Sequence, residues 1–161
     1  MANGIFSLPR NAELSLVEYI TASIANDWTG VTVVKDFLQA YQVPTPVICV
    51  RMLSKQNVRT EIGSQLLLPT FTFTIDIFAN SDGQRLDLSD SIINYLIQGC
   101  EYFDCAKDPS NAQNIIYTPT SPVTRMTLLK FISDVKVLAP MDAQLEDKFR
   151  QCITFTMSKY D

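Results

Sequence analysis

Histidine is missing from this chain altogether. Its absence removes the Ser-His-Asp and Cys-His routes to a nucleophile. It also removes every zinc site that needs an imidazole, and no four-cysteine spacing takes its place. Glycine is scarce and scattered, at positions 4, 30, 63, 83 and 99, so no glycine-rich loop exists to cradle a phosphate. No run of about 18 apolar residues occurs, and no membrane span is expected. The opening Met1-Ala2-Asn3-Gly4-Ile5-Phe6 lacks the basic and apolar regions of a signal peptide, which makes the cytosol the expected place of synthesis. Basic residues are outnumbered, 13 against 17 acidic, for a net charge of −4. A free-standing nucleic-acid binder needs a basic patch to displace counterions, so the balance argues against one.

Cys49, Cys100, Cys105 and Cys152 are the cysteines, and three of them sit inside apolar runs. The Cys100/Cys105 spacing is neither a zinc knuckle nor C-x-x-C. All four are expected to be reduced and structural. Two acidic groupings invite a chemical reading. Asp82, Asp87 and Asp90 lack the alternation of a calcium loop and stand where a helix start favours negative charge. Asp76 with Asp82 could be a carboxylate pair, but a solvated Asp on a sheet face is the simpler expectation. Trp28 is expected to anchor the core or a hinge. No catalytic residue, metal or cofactor is expected.

What is present is a strong alternation. Pro69–Phe78 reads P-T-F-T-F-T-I-D-I-F, with Phe71, Phe73, Ile75 and Ile77 on one face and Thr70, Thr72, Thr74 and Asp76 on the other. The last strand, Phe149–Tyr160, repeats the pattern with Ile153, Phe155 and Met157 against Thr154, Thr156 and Ser158. The threonine faces predict a wet side of one sheet. Leu16, Val17, Ile20 and Ile24 predict a helix from near Ala12, capped by Asn11 and closed at Trp28-Thr29-Gly30. Val31–Phe37 predicts a strand, and Pro44 and Pro46 a loop. Val47–Leu53 predicts a strand that forms a hairpin with the long one. A second helix is expected after Gly83, capped by Ser81 or Asp82. Leu86, Ser89, Ile92, Ile93, Leu96, Ile97, Cys100 and Phe103 would line its face. Val123–Val137 predicts strands broken at Ser133-Asp134, followed by a turn at Ala139–Asp142. At 161 residues the chain is expected to form one domain, 1–161. The expected fold class is α+β: a mainly antiparallel sheet with a long β-hairpin and two helices packed on one face. A hairpin tip would project near 54–65, and an irregular, proline-rich excursion would occupy 104–122.

The tract P-V-I-C-V-R-M-L, the polar tip, L-P-T-F-T-F-T-I-D-I-F-A-N-S and the helix L-D-L-S-D-S-I-I-N-Y-L together resemble the tail terminator family of tailed bacteriophages. The resemblance covers most of residues 12–103 and, more loosely, the final strands. It implies a structural virion protein of the neck, located in the virion and assembled in the host cytoplasm. It implies a hexameric ring of identical subunits that caps the tail tube, ends its polymerisation and joins the tail to the head. The implied partners are further copies of itself, the tail tube protein and a head-connector or stopper protein. DNA would pass through the lumen unbound, which an acidic balance suits. The residues expected at the assembly interface are Lys55, Arg59 and Glu61 on the hairpin tip. Two alternatives stand beside this reading: another neck or head-completion protein, and a small binding module or enzyme of unknown ligand.

Overall fold

The protein is seen in a computed structural model that describes residues 8–59, 61–63, 65, 67–107, 117–137 and 149–160. The expected turn at 139–142 and the middle of the expected 104–122 excursion lie outside the described residues.

The elements run α1 (Leu8–Asp27), β1 (Thr32–Val34), α2 (Phe37–Ala40), β2 (Val47–Arg59), β3 (Leu67–Phe78), α3 (Asp82–Gln98), β4 (Cys100–Lys107), β5 (Tyr117–Lys136) and β6 (Arg150–Tyr160). The strands form a six-stranded sheet in the order β1-β2-β3-β6-β5-β4. The expected α+β arrangement, a mainly antiparallel sheet carrying two helices, is therefore wrong. The molecule is mostly strand, its sheet is mixed and curled into a half-barrel, and the described residues form three helices. The mixed character comes from β1, which pairs with β2 in parallel. A parallel pair needs a crossover of about a dozen residues, and residues 35–46, with α2 inside them, supply it.

The period of two in β3 and β6 builds the core as expected. Phe71, Phe73, Ile75, Ile77, Ile153, Phe155 and Met157 have no exposed surface. They pack under Leu16, Val17, Ile20 and Ile24 of α1 and Leu88, Ile92 and Leu96 of α3. Phe73 stacks on Phe155 across the ladder with centroids 5.7 Å apart. The expected β2–β3 hairpin is present, with Val50 opposite Ile75 and Met52 opposite Phe73. Trp28 does anchor: half-buried against the core, it donates from Nε1 to Ser91 Oγ at 3.2 Å and ties the end of α1 to α3.

The threonine face is not the wet face expected. Thr70, Thr74, Asp76, Thr156 and Ser158 are all buried. At the base of this face Val34, Ala40, Val47, Cys49 and Phe78 form a second apolar cluster, sealed by Phe37 of α2. Asp76 lies beside it and is fully buried rather than solvated. Its Oδ2 accepts from Arg51 Nη2 at 3.0 Å, and its Oδ1 from Arg150 Nε at 3.0 Å and Nη2 at 2.8 Å. The Phe37 ring lies within 4.6 Å of the Arg51 guanidinium carbon and 4.7 Å of that of Arg150. A charge buried this deeply persists because two cations and three charge-assisted hydrogen bonds satisfy it.

Other boundaries move for local reasons. Asn11 does not cap α1. It is buried within that helix and donates to Asp104 Oδ1 at 3.4 Å. Ser81 caps α3, accepting from the Gln84 amide at 3.2 Å. That helix does not run on to Phe103. It ends at Gln98, where Gly99 takes φ 72°, and β4 begins at once. An added Cβ at Gly99 would lie 2.7 Å from the Met126 carbonyl oxygen, so glycine is needed both for φ and for space. Leu86 and Ile97, expected on the buried face, are exposed. Arg85, Leu88 and Tyr95 take their place. β5 is not broken at Ser133-Asp134 but continues with a register shift between Phe131 and Ser133.

Candidate assembly surface

β2 does not stop at Leu53. It continues through the polar residues to Arg59, with Gln56 opposite Thr70, Asn57 opposite Pro69, Val58 opposite Leu68 and Arg59 opposite Leu67. The ladder explains why a segment without apolar alternation is strand: its backbone groups are paired by β3. On its other side β3 pairs with β6 only as far as Thr70, opposite Ser158. Leu67–Pro69 and their β2 partners therefore extend past β6 as a two-stranded ribbon. β4 and β5 do the same. β5 pairs with β6 up to Arg125, opposite Tyr160, while its earlier residues pair with β4 alone. Both ribbons leave the sheet at the end where β6 terminates.

Lys55, Arg59 and Glu61 are all exposed, Lys55 within the sheet opposite Phe71, Arg59 on the first ribbon and Glu61 beyond it. The structure does not bring the three together as one patch. Lys55 borders a shallow depression with Pro9, Arg10, Glu13, Met52, Leu53 and Ser54, while Arg59 and Glu61 flank Ile62 and Gly63 at the tip. Gly63 takes φ 88°, a turn conformation that leaves Ile62 completely exposed.

A second feature escaped sequence reasoning. Where β2 pairs with β3 and β5 with β6, the ladders carry three register shifts, between Met52 and Ser54, Leu128 and Lys130, and Phe131 and Ser133. The extra residues are Leu53, Leu129 and Ile132. A bulge re-aims the side chain it inserts, and all three of these large apolar side chains are exposed, at 55%, 45% and 53%. No periodicity marks them, because a bulge is a departure from periodicity.

Leu129 and Ile132 wall a groove of about 470 Å³ on the threonine face, with Val58 and Leu68 of the ribbon opposite. Thr70, Thr72 and Thr156 line it between those walls, with Gln56 and Lys130 at its sides. Among the described residues, the buried hydroxyls of Thr70 and Thr156 have no hydrogen-bond partner. An unpaired buried polar group costs free energy until something satisfies it.

The remaining ionisable groups have structural employment. Asp82, one of the three residues of the acidic grouping, accepts from Lys136 Nζ at 2.9 Å and Arg85 Nε at 3.1 Å, which hold its carboxyl below the usual range. Asp87 and Asp90 are exposed on α3. Among the described residues, no three acidic or cysteine side chains converge on a metal-sized site. Cys49, Cys100 and Cys152 are free thiols, the first two fully buried. Burial pushes the Cys49 thiol up to about 11 and that of Cys100 to about 12. The Cys105 side chain lies outside the described residues. Among the described residues, no helix is long and apolar enough to cross a membrane.

No protein-family model matches this chain, and no curated protein gives a significant match to it.

Proposed function

We propose that this chain is a structural subunit of a tailed-phage neck, a tail terminator that assembles into a ring. In that ring it would cap the tail tube, stop its growth and join the tail to the head connector. The observation that carries the reading is the pair of ribbons extending from one end of the sheet. A monomer gains little core from strands paired on one side only, with exposed Leu67, Val58 and Ile62 along them. An assembling subunit uses such strands to reach its neighbour. The exposed bulge residues Leu129 and Ile132 support the same reading, since they gather with Val58 and Leu68 into one apolar-walled groove, and contiguous exposed apolar surface marks an interaction site.

No step of catalysis belongs to this role, and no cofactor or metal is needed for it. The hexameric count, the tube protein and the connector or stopper as partners, and DNA passing the lumen unbound all belong to the proposal. Another neck or head-completion role uses the same surfaces in a different layer of the particle. Mixing the purified chain with growing tail tubes tests the reading. Tubes of uniform, limited length are the expected result, and tubes of unchanged length distribution contradict it.

A further inference from the structure

The threonine-face groove and the ribbon tip carry complementary groups: apolar walls and Lys130 in the one, Ile62 and Glu61 in the other. We infer that the Glu61-Ile62 tip of one copy seats in the groove of the next, with Ile62 between Val58, Leu129 and Ile132 and Glu61 on Lys130. This inference rests on the ring-forming role proposed above and names the contact that would build it.

The tip offers a single apolar knob beside a carboxylate. Ile62 is wholly exposed, and Gly63 supplies the turn that presents it. The groove offers apolar walls and one cation. Among the described residues neither Glu61 nor Lys130 has an ion-pair partner. The Thr70, Thr72 and Thr156 side chains line the groove between its apolar walls. The tip cannot fill its own groove while its ribbon is formed. Val58 and Leu68 of that ribbon wall the groove and pair with each other, and the tip lies beyond them.

Knob and groove lie on different patches of one chain. The contact is therefore heterologous, and successive copies close into a ring when the rotation between them allows it. A small apolar knob fixes position, and the flanking charge pair fixes register and rejects misaligned neighbours.

The test uses the full chain and reads its mass against concentration by sedimentation velocity. Four variants are compared with the parent: Ile62→Asp, Glu61→Lys, Lys130→Glu and the double exchange Glu61→Lys with Lys130→Glu. All the altered side chains are exposed, and circular dichroism checks that each variant folds. Each single variant is expected to raise the concentration needed for assembly by about tenfold, and the double exchange to restore most of that loss. As an independent readout, a chain carrying Ile62→Cys mixed with one carrying Ile132→Cys should form a disulfide-linked pair under mild oxidation. Neither chain alone should do so. A parent that assembles while all four variants assemble equally well overturns the inference and leaves the ring reading standing. So does a double exchange no better than its singles together with an absent cross-link. A parent that stays monomeric overturns both.

Discussion

Arg150 holds Asp76 by two nitrogens on one oxygen, 3.0 and 2.8 Å away, in a site where the carboxylate has no exposed surface. The pair joins β6 to the base of β3, and Arg51 closes the other oxygen from β2. Three strands of the sheet are thus locked by one buried charge beneath Phe37.

Asp76→Asn should therefore destabilise the fold by about 3–5 kcal/mol, since removing one partner leaves buried charge uncompensated. Arg150→Ala should cost more than Arg51→Ala, because the Arg150 side chain is 19% exposed against 35% and makes two of the three bonds. Urea denaturation of the three variants checks the order. A neutral Asp76→Asn would mean that the carboxylate is solvated after all.

The two faces of β3 should answer differently to substitution. Phe73→Ala removes a fully buried ring stacked on Phe155 and should cost about 3–5 kcal/mol. Thr70→Val and Thr156→Val remove hydroxyls without partners, so in the unassembled chain they should be neutral or stabilising by up to about 1 kcal/mol. Thr74→Val should instead destabilise, because Thr74 Oγ1 lies 3.2 Å from Cys152 Sγ in a hydrogen bond. Thermal melts of the unassembled chain separate the three classes.

Gly99→Ala should destabilise by about 1–3 kcal/mol from backbone strain alone. The 2.7 Å approach to the Met126 carbonyl pushes the effect to the upper end of that range. Gly83→Ala, with open space around it, is the matched control and should change little.

Stability should fall in alkali. Cys49 and Cys100 have folded pKa values pushed by burial to about 11 and about 12. Their unfolded thiols ionise near 8.5. Above that pH the unfolded state holds fewer protons than the folded one, so unfolding becomes progressively easier up to the folded values. Below it the contribution is fully present. Unfolding midpoints measured from pH 7 to 10 should decline, and Cys100→Ser should alter the slope. Fast labelling of Cys49 and Cys100 by a thiol reagent at pH 8 would contradict their burial.

The parts of this fold that were legible are those where periodicity and burial coincide. Phe71 to Ile77 alternate because one strand face is core, and Ser81 and the early acidic residues mark where α3 begins. The illegible parts are those where another element supplies what the local sequence lacks. Ser54–Arg59 reads as loop because its strand state depends on the ladder to Leu67–Thr72. Asp76 reads as solvent-facing because nothing local announces Arg150 or Phe37. Cys100 and Phe103 continue the helical spacing of α3 by coincidence, although Gly99 was available as a stop. α2 falls inside and just after the expected strand Val31–Phe37; its local signal is Asp36, whose side chain accepts from the Leu38 amide at 2.9 Å and caps it. Of the expected interface, Lys55, Arg59 and Glu61 stand out in the sequence by their charge. The apolar Ile62 next to Glu61 and the bulged Leu53, Leu129 and Ile132 carry no sequence signature of exposure.

The central claim is that this 18.1 kDa chain is a ring-building subunit. Light scattering of the purified protein across a wide concentration range, with negative-stain imaging of the same samples, tests it most directly. A closed assembly of discrete mass, seen as rings with a central opening, is the predicted result. A single species of 18.1 kDa at every concentration, with no rings on the grid, would contradict it.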